Sequence, residues 1–186
     1  MQRQIYKERD CSFDIRVLDN FFTENEYNQI NAIITNVEYS ALHTSHQENP
    51  TKHIWFSAPV DDNLKELIRV RANEKLKTNI VKVSLCSYTL MTKVPNDKKE
   101  VHDDYEKEDR NFQCIIFING EASASSGISF YGVSEDGKSL AFNSSIGFQP
   151  NRIVFWKCNT WHCPLNHRDE FKSRHSIIAQ FKVEDK

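Results

Sequence analysis

The hydrophobic pattern of this chain changes character once, near Thr78. Before that point, apolar residues recur at helical spacing. Tyr27, Ile30, Ile33, Ile34 and Val37 fall on one face of a 3.6-residue repeat. The stretch opens with Thr23 and has Glu26 three residues on, the arrangement of a capping box. A helix with one buried face is therefore predicted across 23–37. A second amphipathic helix is predicted over 61–77, with Leu64, Leu67, Ile68, Arg71 and Leu76 on its inner side. Asp61 or Asp62 can cap it. Segments 13–18 and 52–58 have strand composition.

After Thr78 the chain reads as strands. Segments 80–94, 112–120, 127–133, 138–143, 151–158 and 174–183 are β-branched and aromatic, with short turns between several of them. No helical period lies between them, which points to an antiparallel sandwich or barrel. The fold class expected is α+β: a jelly roll with the N-terminal helices packed on one face. One domain is expected over 1–186, with helical support at 1–79 and the jelly-roll core at 80–183.

Composition narrows the function classes. A chain of 186 residues can bury a real core without staples. Its 24 Lys+Arg against 26 Asp+Glu give a net charge of -2, so nothing suggests nucleic acid or an anionic membrane as partner. No apolar run is long enough to span a bilayer. The first residues, "MQRQIYKERDCSFDIRV", lack the pattern of a signal peptide. A cytoplasmic location is the expectation. Five scattered cysteines do not form a disulfide framework.

Two sets of residues carry candidate chemistry. The first is "KCNTWHCPLNH" (157–167), in which Cys158, His162, Cys163 and His167 could form a zinc site. Against that, His162 and Cys163 are adjacent, and neighbours on an extended chain point to opposite faces. Cys158 and Cys163 then read as small buried residues. The second set begins with "VHDDY". On an extended chain His102 and Asp104 face one side and Asp103 the other. A further histidine would complete two histidines and a carboxylate on one face of a metal, leaving the other positions open. His162 and His167 are both available. Downstream, Arg174 and Ser176 are two apart on a strand and together suit a carboxylate ligand. The gap from His162 to Arg174 fits two strands joined by a loop better than the gap from His167.

In this order of parts the sequence resembles the 2-oxoglutarate- and Fe(II)-dependent oxygenases of the double-stranded β-helix type, in particular the prolyl-hydroxylase-like branch. The motifs are "HDD", "CIIFIN", "SSGISFY", "QPNRIVFW", His162, and "RHS" as R-x-S. They cover 80–183. The resemblance implies that His102, Asp104 and His162 bind Fe(2+), and that Arg174 pairs with the far carboxylate of 2-oxoglutarate while Ser176 hydrogen-bonds it. It places Tyr88 as a further co-substrate contact. Dioxygen would be the other co-substrate and succinate a product. The substrate would be a small molecule, an amino acid or a peptide side chain, hydroxylated at an unactivated C–H bond. Asp104 favours hydroxylation or a related oxidation over halogenation, whose enzymes lack this carboxylate. Two departures stand out: arginine where that branch commonly has lysine, and Ser126–Gly127 where a glycine pair is frequent. Competing readings are a non-catalytic jelly-roll binding module, a cupin, which would want histidine at position 104, and the zinc protein. Trp55, Trp156 and Trp161 are candidates for a pocket wall, with core packing the simpler role for Trp156.

Overall fold

The computed structural model describes residues 14–44, 54–93, 101–104, 107–134, 139–165 and 173–185. The N-terminal part contains β1 (Arg16–Leu18), α1 (Glu24–Ile34), β2 (Ala41–Thr44), β3 (Ile54–Pro59) and α2 (Asp62–Lys75). The capping box forms as the sequence requires. The Thr23 amide donates to Glu26 Oε2 at 2.9 Å, and the Glu26 amide donates to Thr23 Oγ1 at 3.4 Å. The helix ends at Ile34, short of Val37. Thr35 and Asn36 turn their side chains back onto the carbonyls of Asn31 and Ala32, which satisfies the last turn. Asp61, not Asp62, caps α2 by accepting from the Leu64 amide at 2.8 Å. Arg71 ties the two helices together through Glu26 Oε1 at 2.7 Å.

The remaining strands are β4 (Ile80–Lys93), β5 (Phe112–Asn119), β6 (Ser123–Val133), β7 (Leu140–Phe148), β8 (Arg152–Lys157), β9 (Trp161–Leu165) and β10 (Arg174–Val183). They form a seven-stranded sheet in the order β1-β8-β5-β10-β4-β3-β2 and a three-stranded sheet in the order β7-β6-β9. The pairings between these strands are antiparallel. Period-two alternation gives the large sheet two apolar faces. Cys86, Tyr88, Cys114, Ile116, Phe155, Ile177 and Phe181 pack against Ile30, Ile34, Leu64 and Ile68 of the helices. Phe117, Val154 and Trp156 point the other way, toward Ile128, Phe130 and Phe148 of the small sheet. The helices thus support one face of the large sheet. The space between the two sheets is left for the site. Among the described residues, no helix is long and apolar enough to cross a membrane.

Ser126–Gly127 stands where the two sheets approach this space. Gly127 has φ of +147°, and a Cβ there would lie 2.1 Å from the carbonyl oxygen of Ile146. Only glycine fits both the conformation and the spacing.

Candidate metal centre

His162 lies on β9, opposite Phe130 of β6. The short segment around His102 pairs with β9 from its other side. The His102 amide donates to the His162 carbonyl at 3.0 Å, and the His162 amide donates to the His102 carbonyl at 2.8 Å. Residues directly opposite in an antiparallel pair project from the same face. The two imidazoles accordingly sit side by side, with centroids 4.5 Å apart. Asp104 follows two residues later. Its amide is held by the Cys158 carbonyl at 3.0 Å, and its Oδ2 lies 3.3 Å from His162 Nε2. One ligand atom from each of the three residues falls within 4.8 Å of the others. This group can hold a metal ion.

The chemistry of the donor set fits a cation. His162 Nδ1 lies 2.9 Å from the Thr160 carbonyl, which only accepts. Nδ1 therefore carries the hydrogen, and the Nε2 lone pair faces Asp104 and His102. Burial, and then the charge of His102, lower the His162 pKa to about 4, against smaller opposing effects of Asp104 and Thr160. At neutral pH this imidazole is neutral and able to ligate.

The same shift predicts a stability profile. In the unfolded chain the imidazole takes its proton near 6.5, and in the folded chain near 4. Between these values the unfolded state binds more protons, so stability falls as pH is lowered through the window. His175, also lowered by burial, acts in the same direction. The metal-free protein should melt at a lower temperature at pH 5 than at pH 7. His162→Gln should flatten part of that slope. Melting curves across this range check it; an unaltered slope in His162→Gln would show that His162 titrates normally.

A cavity of about 240 Å³ opens between the sheets beside this group. Alternation on β10 turns Arg174, Ser176, Ile178 and Gln180 toward it. Arg174 is only 7% exposed, and its guanidinium lies over the Phe148 ring at 5.3 Å. Burial lowers its pKa to about 10, which keeps it cationic at neutral pH. The structure thus brings His102, Asp104, His162, Arg174 and Ser176 to one cavity. Sequence reasoning missed Thr89, Met91, Gln113 and Gln180, which also line it. Trp156 lines it too, edge-on to His162 with centroids 5.1 Å apart.

Tyr88 is a correction. It was expected at the co-substrate, but it sits in the core between the large sheet and the helices. Its neighbour Thr89 faces the cavity and donates to the Ser176 carbonyl at 3.2 Å. Successive residues on β4 point to opposite faces, so a reading one position off selects the wrong side chain. Trp161 is not part of the cavity wall described here. The Trp55 side chain lies outside the described residues.

Cys158 and Cys163 are fully buried. Among the described residues neither belongs to a group able to hold a metal. The Cys163 thiol points to the Tyr131 hydroxyl at 3.6 Å, while its neighbour His162 faces the cavity. His167 lies outside the described residues. Changing Cys158 and Cys163 together to serine should leave metal stoichiometry unaltered, at a modest loss of stability where hydroxyls replace buried thiols. Metal analysis decides this; loss of a bound zinc with unfolding would restore the zinc-site reading.

No family model matches the chain, and no curated protein matches it by sequence. Solved structures do match. A prolyl-4-hydroxylase from Pseudomonas putida superposes with a TM-score of 0.59 at 13% identity, over 94% of this chain and 95% of that one. The non-heme alpha ketoglutarate dependent epimerase SnoN from nogalamycin biosynthesis gives 0.65 at 11% identity, over 91% and 78%. HygX from Streptomyces hygroscopicus, with nickel, 2-oxoglutarate and hygromycin B bound, gives 0.59 at 8% identity, over 91% and 83%. The helices on one face, the large and small antiparallel sheets and the space between them are therefore the double-stranded β-helix fold of the 2-oxoglutarate- and Fe(II)-dependent oxygenase structures.

Proposed function

We propose that this chain is a single-domain Fe(II)- and 2-oxoglutarate-dependent dioxygenase over 1–186 that hydroxylates an unactivated C–H bond. One observation carries the reading: two histidines and a carboxylate converge at a cavity that a buried arginine and a serine two residues on also line. His102, Asp104 and His162 would hold the iron on one side and leave its cavity side open. When bound, the iron lets dioxygen oxidise both molecules, one oxygen ending in succinate as carbon dioxide leaves and the other in the hydroxylated substrate. Arg174 would clamp the far carboxylate of 2-oxoglutarate, with Ser176 as a second donor. A charged partner suits Arg174, since burial disfavours its cationic form and an anion restores it. Met91, Ile115, Ile128, Phe117 and Phe148 supply an apolar wall that limits water at the reacting bond.

The substrate class of this reading is a small molecule, an amino acid or a peptide side chain. HygX was solved with hygromycin B, and a Trichoplax adhaerens prolyl hydroxylase with a peptide fragment. The test is direct. Protein loaded anaerobically with Fe(II) and 2-oxoglutarate is exposed to oxygen, and succinate is measured. Slow succinate formation that requires both protein and Fe(II) is expected. Succinate no higher than in the protein-free control would leave the non-catalytic binding module standing.

A further inference from the structure

Arg174 opens β10 opposite Met91 of β4. An arginine head sits on a long stem, and in open solvent that stem samples many rotamers. Here it is confined. Gly120, directly after β5, has φ of +152° and no side chain. A Cβ at Gly120 would lie 2.9 Å from Phe148 Cζ and 3.4 Å from Arg174 Cγ. The edge of the phenylalanine ring and the arginine stem therefore fill the room that a side chain at Gly120 would take. Further along, the guanidinium carbon lies 5.3 Å from the centre of the same ring. Gly120 bounds the arginine along its stem, and Phe148 bounds it at its head.

Phe148 is fixed in turn. Its buried ring packs tilted against Phe117, with centroids 4.7 Å apart. It ends β7, one residue after Gly147, where the main chain approaches β6 closely: a Cβ at Gly147 would lie 2.7 Å from the Ser123 carbonyl oxygen. Arg152 Nη1 donates to the Gly147 carbonyl at 2.9 Å. Arg152 is itself held by both carboxylate oxygens of Asp19, at 2.6 and 3.0 Å. The ring thus has a packed neighbour in Phe117, no side chain at Gly120 to displace it, and a tied main chain on the strand that carries it. Phe117, Phe148 and Arg174 all line the cavity.

We propose that Phe148 is a positioning residue that fixes the reach of the Arg174 guanidinium, and so makes the site select a five-carbon 2-oxo diacid over its six-carbon homologue. The proposal rests on the proposed function and names what sets the length of its co-substrate. An acid that spans from the metal group to Arg174 has both ends held. If the guanidinium could draw back, a longer acid would fit by pushing it aside. A guanidinium stopped by an anchored ring cannot draw back, and the favourable contact of cation and ring face keeps it there. One methylene more or less in such a site changes binding by roughly 10- to 200-fold.

The test titrates the full chain, loaded with Zn(II), with 2-oxoglutarate and with 2-oxoadipate by calorimetry. The wild type should bind 2-oxoglutarate the more tightly by roughly tenfold or more. Phe148→Ala would leave a large core space and can unfold the chain. Phe148→Leu and Phe148→Met keep most of the apolar volume and are used instead. Each should cut the preference to below about threefold, as the guanidinium gains room to draw back. A second readout needs neither metal nor acid. The Arg174 Nε–H signal, identified by its loss in Arg174→Lys, should be rigid by ¹⁵N relaxation in the wild type and mobile in both variants. A wild type without length preference overturns the proposal. So does a loss shared equally by the two acids in the variants, which is what a merely structural role for Phe148 gives. A narrowed preference with the arginine still rigid would assign the limit to the bulk of Phe148 alone, and likewise overturns it. Failure of both acids to bind the wild type is a different result: it contradicts the proposed function, and the length selection falls with it.

Discussion

Replacing His162 by alanine should abolish Fe(II) retention and 2-oxoglutarate turnover while leaving the chain folded. The argument begins with geometry. His162 is the buried member of a three-residue group, and its Nε2 is directed by the Nδ1 contact to Thr160. Removing it leaves one histidine and one carboxylate, too few for stable binding of a divalent ion that prefers two histidines and a carboxylate. The fold should survive for a local reason. The side chain borders a cavity, so its removal enlarges an existing space instead of opening a sealed core. The lost Nδ1 hydrogen bond costs about 1 kcal/mol. The main-chain pair between residues 102 and 162 does not depend on the imidazole. His102→Ala and Asp104→Ala should behave in the same way. Metal analysis, succinate formation and circular dichroism on each variant check it. An active His162→Ala beside a dead His167→Ala would transfer the ligand role to His167.

Arg174→Ala should have the second-largest effect, and on a different quantity. Its guanidinium is buried beside Phe148 and lines the described cavity. Loss of a charge-assisted, bidentate contact in a desolvated site costs on the order of 2–5 kcal/mol. That corresponds to an affinity loss of roughly 30-fold to several thousand-fold for 2-oxoglutarate. Iron affinity measured without 2-oxoglutarate should change little, because Arg174 is not one of the three proposed ligands. Arg174→Lys should recover part of the loss, as a point charge without the fork. Titration of 2-oxoglutarate into the Fe(II)-loaded variants separates these outcomes. An unchanged 2-oxoglutarate dependence would place the carboxylate anchor elsewhere, on a lysine.

The strands after Thr78 and the two helices were legible because their patterns are set by burial. Each helix has one packed face, the inner strands β5 and β8 are largely apolar on both faces, and β10 is apolar toward the helices. Strand β9 was harder to see, since "WHCPL" contains a proline and a histidine whose place follows from the site. The second half of β7 lies between the strand segments 138–143 and 151–158 that the pattern predicts. Its exposed edge carries serine and asparagine, which look like loop residues until the pairing with β6 is known. In the site, H-x-D and R-x-S were legible because two-residue spacing survives on any extended segment. Tyr88 failed for the complementary reason: nothing local to β4 tells which parity faces the cavity, and only its register with β10 places Thr89 there. Gln113 and Gln180 carried no sequence signal at all. They stand in separate strands and become neighbours only through sheet pairing.

The central claim is that this cavity binds iron and 2-oxoglutarate together on His102, Asp104, His162 and Arg174. Anaerobic titration of the Fe(II)-loaded protein with 2-oxoglutarate, followed in the visible range, tests it most directly. The account predicts a weak charge-transfer band that needs both components, saturates at one iron and one 2-oxoglutarate per chain, and is absent in His162→Ala. No band in the wild type, or a band of equal strength in His162→Ala, would contradict it.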